Sequence, residues 1–285
     1  MNISYKGVIE EVAETLVSAS TTFRPDQIQA YRNAIDREEN LNAKWVLETI
    51  LENAEVAAKK RLPLCDDTGI PHVFLDVGNN AGLPPGFFKA VENGVATGLR
   101  RLPGRPMAVL GDEADRISQS AGLSQDPADV SLAPIQIRSV PGSLVQLTVL
   151  MLGGGPEIRG KTQRIFHKHS IDVAIEEMVQ WANEGASLLG CLPCVLAFGV
   201  GRTNIEAASL ALEAMKDGNF LLQNPLEKRI TEAVNKAKIG PLGLGGNNTV
   251  LATFLKVGPQ RASGVRVVSL RVGCCFDPRR ATLTF

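Results

Sequence analysis

Several features that define large classes of protein are missing from this sequence. No stretch approaches the ~18 apolar residues of a membrane-spanning helix. The first six residues, Met-Asn-Ile-Ser-Tyr-Lys, lack the basic and then apolar order of a secretory signal. Thirty basic residues balance thirty acidic ones without forming a block, so neither nucleic acid nor a membrane surface is an expected partner. These absences predict a cytoplasmic protein that acts on small molecules.

Cysteine is also scarce. The chain has five: Cys65, Cys191, Cys194, Cys274 and Cys275. An odd, sparse set in a cytoplasmic chain favours thiol chemistry, metal chemistry or plain burial over disulfides. Cys191 and Cys194 form a CxxC, but no second CxxC accompanies it, so the pair alone is a weak zinc or redox signal.

What the sequence does contain is enough apolar material for one large core or two modest ones, since 44% of its 285 residues are hydrophobic. Apolar residues at three-to-four spacing predict helices, and short β-prone runs predict strands. The predicted helices are 8–19, 26–38, 41–60, 85–100, 172–183, 204–217 and 225–238, and the predicted strands are 72–77, 135–137 paired with 144–152, 195–200, 250–257 and 265–272. We expect an α/β (mixed α+β) fold in which a helical N-terminal part precedes mixed sheets flanked by helices. No linker or repeat is visible, so a single domain over residues 1–285 is expected.

The densest group of reactive side chains is Leu62 to Gly69, Leu-Pro-Leu-Cys-Asp-Asp-Thr-Gly. The proline and the glycine bracket a loop that leads into the predicted strand 72–77. A rigid strand can hold reactive side chains still, so Cys65 and Asp67 are candidates for a functional site. A buried structural thiol beside an Asx-turn explains the same residues equally well.

A glycine triplet, Gly153–Gly155, directly follows a predicted strand. Its amides can cradle a carboxylate or phosphate, although a plain strand-to-helix turn is an alternative. Three cations follow, which would suit an anionic ligand or a solvated basic face: Arg159, Lys161 and Arg164. The His167-Lys-His169 run fits a metal pair less well than two surface histidines.

Three separate loops each place a cysteine at the edge of a predicted strand, at 65, at 191 or 194, and at 275 or 274. Three thiolates can bind three irons of a cubane cluster and leave the fourth iron open to a substrate hydroxyl and carboxylate. Spacing alone leaves this arrangement and a zinc–thiolate site on Cys191, Cys194, Cys274 and Cys275 both possible.

The motifs resemble one family over nearly the whole chain. Leu-Pro-Leu-Cys65-Asp-Asp67-Thr-Gly is similar to the Cys-Gln-Asp-Thr-Gly motif of the class I iron–sulfur fumarate hydratases and the related L(+)-tartrate dehydratases. Gly153–Gly155 resembles their glycine triplet. Further segments resemble the family's other motifs in order: Cys191-Leu-Pro193 with Gly199-Val-Gly-Arg-Thr203, the glycine loop Ile239–Gly246, and Cys275 followed by Arg279 and Arg280.

The resemblance corresponds to the α subunit, or N-terminal domain, of these hydro-lyases. It implies a 4Fe-4S cluster on Cys65, Cys191 and Cys275, with Cys194 and Cys274 as neighbours. It also implies that Asp67 assists the catalytic base and that substrate is contacted by Gly154, Gly155 and the carboxylate-binding Arg105. A β subunit, in an assembly of two α and two β chains, is expected to supply the base and further carboxylate-binding groups for a dicarboxylate substrate.

The sequence departs from the family pattern at three places. Asp66 replaces the family's Gln and brings a negative charge to a substrate contact, which can change the substrate. Gln260–Ser263 replaces the segment that holds the family's candidate proton-donating histidine, and Asn247 stands where fumarate hydratases tend to have Lys. The missing histidine keeps a second interpretation open, a non-catalytic cluster- or zinc-binding relative of the family.

Overall fold

A computed structural model describes residues 4–285. Its helices are α1 Tyr5–Thr21, α2 Pro25–Arg37, α3 Leu41–Lys60, α4 Phe87–Arg101, α5 Glu113–Ser118, α6 Gly154–Glu157, α7 Ile171–Ser187, α8 Asn204–Asp217 and α9 Pro225–Asn235. Its strands are β1 Ile70–Gly78, β2 Gln136–Val140, β3 Val145–Leu152, β4 Lys161–Phe166, β5 Cys194–Gly201, β6 Val250–Val257, β7 Val265–Gly273 and β8 Arg279–Thr284. Two short 3-10 helices span Pro127–Val130 and Pro241–Gly243.

The chain forms two compact units. Unit 1 consists of the described residues up to Thr22, Ala54–Gly153 and Arg279–Phe285. Unit 2 consists of Phe23–Asn53 and Gly154–Pro278. The chain therefore enters each unit more than once.

Unit 1 is built on a four-stranded sheet with the strand order β2-β1-β3-β8. β1 is parallel to β2 and antiparallel to β3, which is antiparallel to β8. Ile70 pairs with Leu152, and Met151 pairs with Arg279. The beginnings of β1 and β8 therefore lie at the same end of the sheet.

Helices α1 and α4 pack together in unit 1, and their apolar faces form one core with the sheet. Gly94 and Gly98 of α4 let α1 approach closely, since a Cβ at Gly94 would lie 2.7 Å from the Cβ of Val12 and one at Gly98 would lie 3.0 Å from the Cβ of Leu16. The fully buried residues Leu75, Leu99 and Leu147 lie in this core. Each such side chain contributes about 1.5–3 kcal/mol by leaving water.

Unit 2 contains a second four-stranded sheet, with the order β4-β7-β5-β6. β7 is antiparallel to both neighbours, and β5 is parallel to β6. Leu196 and Phe198 of β5 enter a core formed with α7 and α9. Gly199 lies on the opposite face of β5, because side chains alternate along a strand. This face packs against α8, since a Cβ at Gly199 would collide with the backbone of Ala207. Both faces of β5 are thus covered, which explains its continuous apolar sequence.

The mixed fold class expected from the sequence is confirmed, and most elements lie where their periodicity predicts them. The strand pairing differs in one respect, because β1 lies between β2 and β3 and pairs with both. β2 and β3 therefore do not pair with each other. The sequence patterns predict neither β4 nor β8, because these strands are short or rich in charged residues. A single domain over residues 1–285 stays a prediction.

No helix among residues 4–285 is long and apolar enough to cross a membrane.

Candidate active site

The Cys65 loop of unit 1, Leu62–Gly69, precedes β1. Its first half is hydrogen-bonded to α1. The amide of Leu64 donates to the carbonyl of Ser20 over 2.9 Å. Cys65 and Asp67 are half-buried, whereas Asp66 is exposed. The thiol of Cys65 lies 3.6 Å from a carboxylate oxygen of Asp66. The loop therefore places both candidate functional residues, Cys65 and Asp67, directly before the beginning of β1.

Arg105 lies beside this loop and pairs with Asp66, with 3.5 Å between Nη1 and Oδ2. Their side chains are 57% and 83% exposed. The close approach has a packing basis, because a Cβ at Gly104 would lie 2.3 Å from the hydroxyl of the buried Thr68. Unit 1 thus brings together three of the predicted site residues, Cys65, Asp66 and Arg105.

Cys191 and Cys275 are neighbours in unit 2. The amide of Cys275 donates to the carbonyl of Cys191 over 3.0 Å. Cys191 is half-buried and Cys275 is buried. A thiol hydrogen bond from Cys274, opposed by burial, lowers the pKa of Cys191. Cys191 therefore has increased thiolate character, and the thiolate is the form that binds metal.

Cys194 differs from Cys191. It is fully buried in the apolar core of unit 2, and this burial raises its pKa to about 12. A buried thiol with a raised pKa is typical of an inert structural cysteine. The CxxC pair thus contains two thiols of different character, and only Cys191 resembles a metal ligand.

Helix α2 holds the turn that contains Cys275. The hydroxyl of Tyr31 donates to the carbonyl of Cys275 over 2.5 Å, and the side-chain amide of Gln27 donates to the carbonyls of Phe276 and Asp277. A carboxylate oxygen of the buried Asp277 accepts from the amide of Cys274 over 2.9 Å. Burial raises the pKa of Tyr31 well above its ordinary value. The sequence does not point to Tyr31 or Gln27, because they occur within an ordinary helical pattern.

The glycine triplet leads from β3 into α6, where Gly154 is half-buried and Gly155 exposed. A Cβ added at either glycine meets no atom within 4 Å, so internal packing does not require glycine there. Arg159 closes the following turn by donating to the carbonyls of Gly155 and Leu188. Arg271 of β7, whose burial lowers its pKa, forms an ion pair with Glu157. The surface in front of the two glycines is open while the turn itself is braced.

The other basic and histidine residues near this turn have partners within unit 2. Lys161 forms an ion pair of 2.7 Å with Glu184 and lies over the ring of Trp181. His167 accepts at Nδ1 from the amide of His169, so its Nε2 donates to the carbonyl of Ser263 over 2.8 Å. Both ring nitrogens are engaged, which favours a structural role for His167 over a metal site.

The second glycine loop, Ile239–Gly246, and the two asparagines that follow it precede β6 and are held by the connection between α2 and α3. The buried carboxylate of Glu38 accepts from the amide of Asn247 over 2.8 Å and from the side chain of Asn248 over 2.7 Å. Asn40 donates to the carbonyl of Leu244 over 3.0 Å. Sequence patterns give no signal that Glu38 binds this loop, because Asn247 and Asn248 lie more than 200 positions away in the sequence.

The cysteines suit an iron–sulfur cluster by their chemistry, since thiolates are the usual ligands of such clusters. Cys191 and Cys275 are joined by a backbone hydrogen bond in unit 2, whereas Cys65 belongs to unit 1. Within residues 4–285, no group of three or more His, Cys, Asp or Glu side chains is arranged to hold a metal ion. The three thiols are therefore chemically suitable ligands for an iron–sulfur cluster, and two of them, Cys191 and Cys275, belong to neighbouring residues.

Comparison with known proteins identifies the class to which this fold and these motifs belong. The family model described as "Fumarate hydratase (Fumerase)" matches residues 9–284. The match covers nearly the whole chain. The chain therefore belongs to the fumarate hydratase family, a family of hydro-lyases.

Individual relatives indicate a branch of this family. A Methanocaldococcus jannaschii protein with the name "Putative L(+)-tartrate dehydratase subunit alpha" is 26% identical over 278 residues, which is 94% of this chain and 93% of the relative. The "L(+)-tartrate dehydratase subunit alpha" of Escherichia coli strain K12 is 24% identical over 282 residues, 96% of this chain and 89% of the relative. Both similarities extend over most of the length of each chain.

Proposed function

We propose that this chain is the α-type, cluster-binding subunit of a cytoplasmic hydro-lyase that adds or removes water across a small dicarboxylate of the fumarate, malate or tartrate class. The full-length match to the fumarate hydratase family carries this proposal. Relatives bearing the name of an α subunit support a partner β subunit, and we propose an assembly of two α and two β chains.

Cys65, Cys191 and Cys275 are the proposed ligands of a 4Fe-4S cluster. The motif positions of all three support this assignment, and so does the lowered pKa of Cys191. When bound, such a cluster supplies an iron without a protein ligand, which acts as a Lewis acid toward the substrate hydroxyl. Cys194 and Cys274 are proposed as neighbours, consistent with the inert character of Cys194.

The remaining residues bind substrate and assist proton transfer in this proposal. Gly154 and Gly155 offer open space and backbone groups to the substrate, while Arg105 attracts one carboxylate. Asp67 assists the base that removes the proton beside a carboxylate, and we assign that base to the β subunit. Asp66 adjusts the charge of the pocket through its pairing with Arg105.

A second candidate function is a non-catalytic cluster-binding or zinc-binding member of the family. The specific observation in its favour is the segment Gln260–Ser263, which lacks the family's proton-donating histidine. His167 contacts this segment through the carbonyl of Ser263, but both of its ring nitrogens are engaged. His167 therefore does not provide an evident replacement acid.

Cysteine substitution under anaerobic conditions tests the proposal. Cys65→Ser, Cys191→Ser and Cys275→Ser should each abolish cluster assembly, measured as bound iron, sulfide and visible absorbance. Cys194→Ser and Cys274→Ser are the matched controls and should largely retain it. A colourless wild-type protein that binds zinc would support the alternative, and a cluster that survives Cys275→Ser but not Cys274→Ser would shift the assigned ligand by one residue.

A further inference from the structure

Arg279 is the first residue of β8 and is almost fully buried, with 2% of its surface exposed. The register of unit 1 places it opposite Met151, next to the position where Leu152 pairs with Ile70. The Cys65 loop ends at this position. β8 therefore delivers a buried guanidinium to the base of that loop.

The guanidinium binds the backbone of the loop directly. Nη1 donates to the carbonyl of Asp67 over 2.6 Å and to the carbonyl of Thr68 over 3.2 Å. Hydrogen bonds from a charged donor are stronger than neutral ones, and one planar group that binds consecutive carbonyls restricts their orientation. These contacts act on the peptide groups immediately beside the Asp67 side chain.

The packing around Arg279 depends on glycine at the end of the loop. Gly69 has φ +87°, and a Cβ there would lie 2.9 Å from Nη2 of Arg279 and 3.0 Å from the carbonyl oxygen of Leu152. The glycine thus provides both the left-handed backbone and the space for the guanidinium. The buried Thr68, which also contacts Gly104 beside Arg105, lies within the same packed segment.

We propose that Arg279 is a positioning residue that orders the Cys65 loop, so that the cysteine and Asp67 are held in the orientation their chemistry requires. This inference rests on the proposed function, which defines the chemistry that Cys65 and Asp67 perform. The ordering itself follows from the contacts of unit 1. Arg279, which follows Cys275 in the sequence, thereby orders the loop that contains Cys65.

Substitutions of Arg279 in the full chain test this role. Arg279→Met removes both hydrogen bonds to the loop carbonyls, and Arg279→Lys keeps the charge without the planar guanidinium. Arg138→Met and Arg138→Lys are matched controls, because Arg138 lies in the same sheet and binds Asp76 instead. In the cluster-free protein, hydrogen exchange in residues 62–70 should become at least tenfold faster in Arg279→Met, with an intermediate rate in Arg279→Lys and no change in the Arg138 variants.

The second measurement uses the reconstituted protein. Arg279→Lys should bind iron like Arg138→Lys but give an altered electron paramagnetic resonance spectrum of the oxidised cluster, as expected when one ligand loop is displaced. Faster hydrogen exchange in β3 would show that Arg279→Met unfolds more generally. In that case the comparison of Arg279→Lys with Arg138→Lys tests the positioning role. Unchanged exchange in residues 62–70, or faster exchange with an unchanged spectrum, would overturn the positioning role. A wild-type chain that binds no iron would refute the proposed function, while the exchange experiment still decides whether Arg279 orders the loop.

Discussion

Asp66 and Arg105 define the charge at the most distinctive position of the candidate site. Asp66 departs from the family motif, and its carboxylate lies 3.5 Å from the guanidinium of Arg105. An exposed pair of this kind is worth only about 0–1 kcal/mol, so a substrate carboxylate can compete with Asp66 for the arginine. In the proposed site, the pair therefore reduces the attraction for a dianionic substrate without blocking the guanidinium.

Replacing Asp66 should change substrate affinity through Arg105. In the assembled enzyme, Asp66→Asn should lower the KM for fumarate and malate by up to about fivefold, which corresponds to the ~1 kcal/mol that such an exposed pair can contribute. Arg105→Gln should raise the KM more in the Asp66→Asn background than in the wild type. Steady-state kinetics on the four proteins of this double-mutant cycle measures the coupling.

The same cycle separates two roles of Asp66. If Asp66 binds an extra hydroxyl of a tartrate-like substrate, Asp66→Asn should weaken tartrate selectively, because a lost charge-assisted hydrogen bond typically costs ~1.5–3 kcal/mol. Unchanged KM values for fumarate, malate and tartrate would show that Asp66 does not face the substrate.

Cys194 makes stability depend on pH in the alkaline range. Burial raises its pKa to about 12, against 9.0 for an ordinary cysteine. The unfolded chain therefore loses the thiol proton first, and the contribution of Cys194 is complete below pH 9 and is lost as the pH rises toward 12. From pH 8 to pH 10 this group alone should lower the free energy of unfolding by about 1.4 kcal/mol.

Urea unfolding of the wild type and Cys194→Ala at pH 8, 9 and 10 measures this effect. Subtracting the two pH dependences removes the contributions of other titrating groups. Parallel dependences in the two proteins would mean that the Cys194 thiol ionises as easily in the folded chain as in the unfolded one.

At the scale of structural elements, the connection between α2 and α3 determines where the second glycine loop lies. Glu38 accepts hydrogen bonds from Asn247 and Asn248, and a Cβ at Gly246 would lie 2.8 Å from its carboxylate. Asn247 also lines a cavity of about 480 Å³ together with Arg37 and Lys228. A buried carboxylate thus anchors the loop at the position where fumarate hydratases tend to have Lys.

Neutralising Glu38 should release this loop. Glu38→Gln keeps the size of the side chain but replaces one acceptor with a donor, so at least one buried hydrogen bond is lost at a cost of about 1–3 kcal/mol. Urea unfolding should show that loss, and hydrogen exchange should accelerate at residues 244–248. Glu39→Gln, at the exposed neighbouring position, is the control and should change neither. Equal stability of both variants would contradict an anchoring role for Glu38.

At the scale of the whole molecule, the candidate residues are divided between the two units. Asp66, Asp67 and Arg105 belong to unit 1, and the glycine triplet ends at the beginning of unit 2. The resemblance assigns no proton-abstracting base to any of them, and the family's histidine position is Ser263 or a neighbour. The proposed function therefore places the proton-abstracting base on a partner subunit.

The isolated, reconstituted chain should accordingly have little or no hydro-lyase activity. Adding a β subunit should restore turnover of a dicarboxylate, measured by following the unsaturated product or substrate in the ultraviolet. Reconstituted chain with Cys191→Ser is the control and should stay inactive with the β subunit present. Substantial turnover of fumarate, malate or tartrate by the isolated chain would refute the need for a partner.

Local sequence determined much of the fold and the identities of the candidate residues. The helices 41–60 and 204–217 and the strand 250–257 have the predicted bounds, because their apolar periodicity and terminal residues act over a few neighbouring positions. Spacing alone leaves 191 or 194 and 275 or 274 open, and the resemblance to the family selects Cys65, Cys191 and Cys275. Their role as cluster ligands stays a prediction.

Only the tertiary structure decided the contacts between distant segments. The pairing of β2 and β3 with β1, the burial of Cys194 and the hydrogen bonds of Glu38 and Arg279 all join residues that are far apart in sequence. Sequence periodicity reports which face of an element is apolar, but it does not report what that face meets. Arg279 shows the difference: it is an unremarkable charge at the start of a short strand, and its burial against Asp67 and Thr68 arises from the register of the sheet.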